Sequence, residues 1–124
     1  MKVLIVDDDL PLTRVLARLL ERCGHSCVTA PTAELALRTL IVERPAMAMV
    51  DLELAGGSQG IDLVTWIRSG LRLPVVAMTR GDVSRARFAL TRAGLDEVDV
   101  LHKPFSLIGL LTKMAEYPIE ARAV

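Results

Sequence analysis

Five times along this chain a short apolar run is followed by a stretch in which apolar residues return every three or four positions. Runs that are apolar at consecutive positions are buried on both faces, which a parallel sheet covered by helices provides. The stretches between them carry the period of helices with one buried stripe. Lys2 to Val6 is the first run, Ser26 to Ala30 a weaker second, and Ala46 to Val50 the third. Pro74 to Met78 is the fourth, and Val98, Val100 and Leu101 make a short fifth. The first two stripes are Leu12, Val15, Leu16, Leu19 and Leu20, then Ala33, Ala36, Leu37, Leu40 and Ile41. Gly60, Leu63, Val64 and Ile67 form the third, and Val83, Ala86, Ala89, Leu90 and Ala93 the fourth. Leu107, Leu110, Leu111 and Met114 form the last. This order predicts a doubly wound α/β domain of (βα)5 type.

Local signals agree with it. Asp9 and Thr32 are placed to cap the first two helices, and Pro11 suits a first turn. Gly24 and Pro45 are stop signals, residues 56 to 60 form a flexible turn, and Pro118 ends the last helix. Glu116 to Val124 is too short for a second domain.

At 124 residues the chain is sized for one domain. Fifteen basic and fifteen acidic side chains cancel, which removes the usual reason to expect a nucleic-acid or anionic-membrane binder. The four aromatic residues, Trp66, Phe88, Phe105 and Tyr117, are too few for a base-stacking surface. Charged residues or prolines break every apolar run well short of the ~20 residues of a membrane span. The N-terminus turns acidic too early for a signal peptide. The expectation is a soluble cytoplasmic domain with no membrane insertion. Cys23 and Cys27 flank His25, but a zinc site needs about four ligands and the other histidine is His102. Two reduced thiols in or near the core are expected instead.

Ligands of open parallel sheets bind beyond the carboxyl ends of the strands. There the first run delivers Asp7, Asp8 and Asp9, the third Asp51, the fourth Thr79 and the fifth Lys103. The second delivers nothing reactive. Clustered carboxylates repel, so something must neutralise them, and a hard divalent cation such as Mg²⁺ takes oxygen ligands of this kind. One carboxylate beside the metal can accept a phosphoryl group as an aspartyl-phosphate. A lysine and a threonine hydroxyl can bind its oxygens.

These residues resemble the receiver domain of two-component response regulators, over roughly residues 2 to 115. The matching pieces are Val3-Leu4-Ile5-Val6-Asp7-Asp8-Asp9, Val50-Asp51-Leu52-Glu53-Leu54, Pro74-Val75-Val76-Ala77-Met78-Thr79 and Lys103-Pro104-Phe105. The resemblance implies a flavodoxin-like, five-stranded parallel sheet in the order 2-1-3-4-5. It implies one receiver domain over residues 1–124, with no output domain, that signals rather than acting as an enzyme. Asp51 would be the phosphoacceptor, supplied by a histidine kinase or a histidine phosphotransfer protein. Asp7, Asp8, Asp51 and the Glu53 carbonyl would hold Mg²⁺, while Thr79 and Lys103 would bind the phosphoryl oxygens. Lys103-Pro104 would be a cis peptide. The signal would leave through the face of the fourth helix, fifth strand and fifth helix, toward a protein partner and not nucleic acid.

Departures from the family pattern bear on switching. Val100 stands where an aromatic ring is usual, and Arg80 where a small residue normally leaves access to the site. The loop after Asp51 lacks the usual proline and runs one residue longer to Gly60, and the segment from Gly94 to Lys103 is about two residues longer. Two alternatives therefore stand beside the phospho-switch. One is a receiver-like scaffold that is not phosphorylated. The other is a Mg²⁺-dependent phosphatase with an aspartyl-phosphate intermediate, in which Glu53 would occupy the general-acid offset. Among the remaining residues, Asp9 reads as a helix cap, Trp66 as packing and His102 as a strand-end side chain facing away. Arg85, Arg87 and Arg92 read as a solvated helix face open to a partner.

Overall fold

The alternation of apolar runs and amphipathic stretches folds into five strands and five helices in strict sequence. The computed structural model describes residues 1–56 and 59–117. In chain order the elements are β1 (Lys2–Val6), α1 (Leu10–Arg22), β2 (Ser26–Ala30), α2 (Ala33–Glu43) and β3 (Met47–Asp51). A 3-10 turn at Leu54–Gly56 leads to α3 (Gln59–Trp66), which runs on into a wider π-helical turn at Ile67–Leu71. Then come β4 (Val75–Thr79), α4 (Val83–Arg92), β5 (Asp99–His102) and α5 (Leu107–Met114). All neighbouring strands are parallel, in the order β2-β1-β3-β4-β5. Fold class and strand order are as expected.

The three central strands have both faces covered, because successive side chains point to opposite sides. On one face Leu4, Val6, Ala48, Val50, Val75 and Ala77 pack with Ala36 and Leu40 of α2, Leu63 and Val64 of α3 and Leu90 of α4. On the other, Val3, Ile5, Met47, Met49, Val76 and Met78 pack under Leu16 and Leu20 of α1 and Leu110 and Met114 of α5. All five methionines of the chain lie in this second layer, including Met1. Unbranched thioethers fill the irregular space beneath two helices, whereas alanines let α2, α3 and α4 sit close.

Helix starts follow the expected chemistry. The Asp9 carboxylate accepts from Leu12 N–H at 3.1 Å, and the Thr32 hydroxyl from Leu35 N–H at 3.1 Å. Asp82 and Ser106, not foreseen as caps, do the same for α4 and α5. Gly24 takes the left-handed conformation after α1 (φ 91°). The Lys103-Pro104 peptide is cis.

Several packing expectations are corrected. Val15, Leu37, Ile41, Val83, Ala89 and Ala93 are exposed, although they lie on the predicted stripes. A helix lying on a sheet buries a narrow row, so the flanks of a wide apolar stripe stay in water. Trp66 also leaves much of its ring exposed, at 41%. Cys23 is exposed at the end of α1, while Cys27 is half-buried and burial pushes its thiol up to about 11. Both are free thiols. His102 faces outward as expected. The expectations for residues 57 and 58, for Pro118 and for the tail beyond it lie outside the described residues. No helix among the described residues is long and apolar enough to cross a membrane.

Candidate functional site

The carboxyl ends of β1, β3, β4 and β5 bring together residues that are far apart in sequence. Parallel register sets Asp51 opposite Met78 and Thr79 opposite His102, so Asp51, Thr79 and Lys103 emerge at one sheet edge. Asp7, Asp51, Thr79 and Lys103 are buried, while Asp8 is exposed. One carboxylate oxygen from each of Asp7, Asp8 and Asp51 lies within 4.8 Å of the others. They open onto a cavity of about 390 Å³ that is also lined by Asp9, Glu53 and Arg80.

Hydrogen bonds hold the reactive groups at fixed angles. Asp51 Oδ1 accepts from Glu53 N–H at 2.9 Å, and Asp7 Oδ1 from Asp9 N–H at 3.0 Å. Lys103 Nζ donates to Asp7 Oδ2 at 2.5 Å and lies 3.5 Å from Asp51 Oδ2. Burial holds the Asp51 carboxyl above the usual carboxylate range. The charges of Asp7 and Glu53 push the same way, and the Glu53 amide and Lys103 oppose them.

Gly60 sets the approach of α3 to this edge. A Cβ there would stand 2.5 Å from the Asp51 carbonyl oxygen and 2.7 Å from Leu52 Cα, which only glycine avoids. The sequence places Gly60 on the helix stripe, but contact with backbone from residue 51 carries no local sequence signal.

Two features of the site were not foreseen. The Glu53 side chain, expected to matter only in the phosphatase alternative, accepts from the Thr79 hydroxyl at 2.9 Å and from Arg80 N–H at 2.6 Å. Asp9 is more than a cap, because its second oxygen pairs with the Arg80 guanidinium. The Leu12 amide is the main cause holding the Asp9 carboxyl below its ordinary value, and Arg80 and Lys103 add to it. Val100 is half-buried, opposite Ala77 in the sheet and packed into the core on the α4 side.

The acidic cluster fits a hard divalent cation. It offers oxygen donors only, at mutual distances one ion can span, with Asp8 at the open side.

Comparison with known proteins agrees with this layout. The family model described as "Response regulator receiver domain" matches residues 3–115. Response regulator MprA of Mycobacterium avium is 34% identical over 115 residues, covering 92% of this chain and 49% of that protein. Transcriptional regulatory protein KdpE of Mycobacterium tuberculosis is 31% identical over 112 residues, covering 90% of this chain and 48% of that protein. The crystal structure of a two-component response regulator from Clostridium difficile superposes with a TM-score of 0.81 at 28% identity, over 92% of each chain. The chain belongs to the receiver-domain family of response regulators, the signalling domains of two-component systems. It spans about half the length of the mycobacterial relatives it matches.

Proposed function

We propose that this domain is a phosphoacceptor switch that takes a phosphoryl group on Asp51 from the phosphohistidine of a kinase or phosphotransfer protein. The observation that carries this reading is the convergence of Asp7, Asp8 and Asp51 within 4.8 Å, beside the buried Lys103 ammonium. Asp51 Oδ1 is engaged by the Glu53 amide, which leaves Oδ2, on the Lys103 side, as the attacking atom. A P–O bond forms to Oδ2 as the P–N bond breaks, and the bonding pair returns to the imidazole, which takes a proton from solvent. Lys103, and Thr79 once its hydroxyl turns inward, would hold the new phosphoryl oxygens.

Asp7, Asp8, Asp51 and the Glu53 carbonyl would hold Mg²⁺, which when bound neutralises the carboxylates and the charge of the transferring group. The face made by α4, β5 and α5 would meet a downstream protein. Phe88 of α4 and Ile108 of α5 are 63% and 77% exposed, and the Arg92 guanidinium lies over the Phe88 ring at 5.8 Å from its centre. The phosphatase alternative is disfavoured, because the Glu53 carboxylate is committed to Thr79 and Arg80 instead of standing ready as a general acid. One observation favours the unphosphorylated scaffold: Arg80, paired with Asp9, lines the mouth of the pocket.

Intact-mass measurement after incubation with a small phosphodonor decides between the two. A phospho-switch gains the mass of one phosphoryl group only when Mg²⁺ is present, and its Asp51→Asn variant gains none. A protein that takes up no phosphoryl group under these conditions is the scaffold.

A further inference from the structure

We propose that the Glu53 side chain is a positioning residue that withholds the Thr79 hydroxyl from the phosphoryl site, so that phosphorylation must break this contact. The inference rests on the phosphoacceptor reading and adds a restraint on it.

A threonine hydroxyl has one proton to donate. Here Thr79 donates it to Glu53 Oε2 at 2.9 Å, while its oxygen accepts from Gly81 N–H at 3.0 Å. The amide fixes one side of the oxygen, and the proton is therefore directed at the carboxylate. Glu53 Oε1 accepts from Arg80 N–H at 2.6 Å, so one carboxylate grips both the hydroxyl and the backbone after it. Arg80 then reaches Asp9 at the start of α1. The chain of contacts runs from the β3 loop through the β4 loop to the β1 loop, around the rim of the pocket.

A phosphoryl group on Asp51 changes the balance at this rim. It converts the single negative charge of the carboxylate into the roughly doubly charged acyl phosphate two residues before Glu53, a net gain of about one negative charge, and it offers its own oxygens to Thr79. The hydroxyl can serve Glu53 or the phosphoryl group, but not both. Glu53 is exposed, so its carboxylate can swing into water once displaced. The threshold for ordering Thr79 over the phosphoryl group is thus set by a residue that is not itself part of the phosphoryl-binding set.

Beryllofluoride, a mimic of the acyl phosphate, provides the test at saturating Mg²⁺. Its affinity is measured by calorimetry for the original protein, Glu53→Ala, Thr79→Ala and the double variant. Because hydrogen bonds to charged groups are the stronger class, Glu53→Ala should bind about tenfold more tightly than the original. Glu53→Gln, which keeps an acceptor but loses the charge, should fall between them. In the Thr79→Ala background the gain from Glu53→Ala should shrink to about twofold, the remainder being simple charge repulsion. An equal gain in both backgrounds would overturn the inference, because Glu53 would then act by charge alone. No gain in Glu53→Ala or Glu53→Gln overturns it too, and this comparison stands even if Thr79→Ala fails to fold. If beryllofluoride binds none of the proteins, the phosphoacceptor reading falls and this inference with it.

Discussion

Lys103 Nζ lies 2.5 Å from Asp7 Oδ2, and the two side chains are only 5% and 1% exposed. Such a pair is held in place more by what its loss would leave behind than by its own net attraction. Removing the ammonium would strand two buried carboxylates, Asp7 and Asp51, facing each other.

Lys103→Met keeps the unbranched apolar stem as far as Cε and deletes the ammonium. In Mg²⁺-free buffer it should destabilise the fold by about 3–5 kcal/mol in urea unfolding. Saturating Mg²⁺ should recover much of that loss, because a cation again faces the carboxylates. An equal loss with and without Mg²⁺ would show that Lys103 does not serve as the counter-charge of the pocket.

The pH dependence of Asp51 has a definite sign. Burial raises its carboxyl above 3.8, so the folded protein holds this proton more tightly than the unfolded chain does. Above the raised value the group is charged in both states, and its burial costs stability. As pH falls from there toward 3.8 the folded state protonates first, and that cost is relieved. Asp51→Asn, which retains the acceptor for the Glu53 amide, should therefore melt higher than the original at neutral pH without Mg²⁺. The difference should shrink as the pH is lowered toward 4. A difference that stays constant across this range would contradict the assigned direction.

Gly60→Ala would drive a methyl carbon to 2.5 Å from the Asp51 carbonyl oxygen, and neither backbone can yield easily. A loss of about 1–3 kcal/mol is expected, together with slower phosphoryl uptake as the end of β3 shifts. Unfolding midpoint and uptake rate measured on one preparation check both parts. Unchanged values for both would mean that α3 does not pack as closely as described.

Arg80 is expected to prolong the phosphorylated state. Its guanidinium, held near the mouth by Asp9, can pair with phosphoryl oxygens and obstruct the attacking water. Arg80→Ala should shorten the half-life of the phosphorylated protein severalfold, followed by intact mass over time. An unchanged or longer half-life would leave Arg80 with no part in hydrolysis.

Strand order, the edge that carries the site and the meeting of Asp7, Asp8, Asp51, Thr79 and Lys103 were all legible in the sequence. The edge and the residues on it follow from runs of consecutive apolar residues ending in polar ones, whereas the strand order follows only from the resemblance to receiver domains. The flanks of the helices were less legible, because Leu37 and Ile41 satisfy the helical period yet fall outside the narrow row that touches the sheet. The rim contacts were not legible at all. Nothing local relates Glu53 to Thr79 or Asp9 to Arg80, which are 26 and 71 residues apart and meet only once the sheet has formed.

The most direct test of the central claim is where the phosphoryl group sits. Borohydride reduces an acyl phosphate on aspartate to homoserine, and sequencing of the peptides by mass spectrometry locates the altered residue. After incubation with a small phosphodonor and Mg²⁺, homoserine should appear at position 51 and at no other aspartate. Homoserine at position 7, 8 or 9, or a protein that gains phosphoryl mass with position 51 unaltered, would contradict the account.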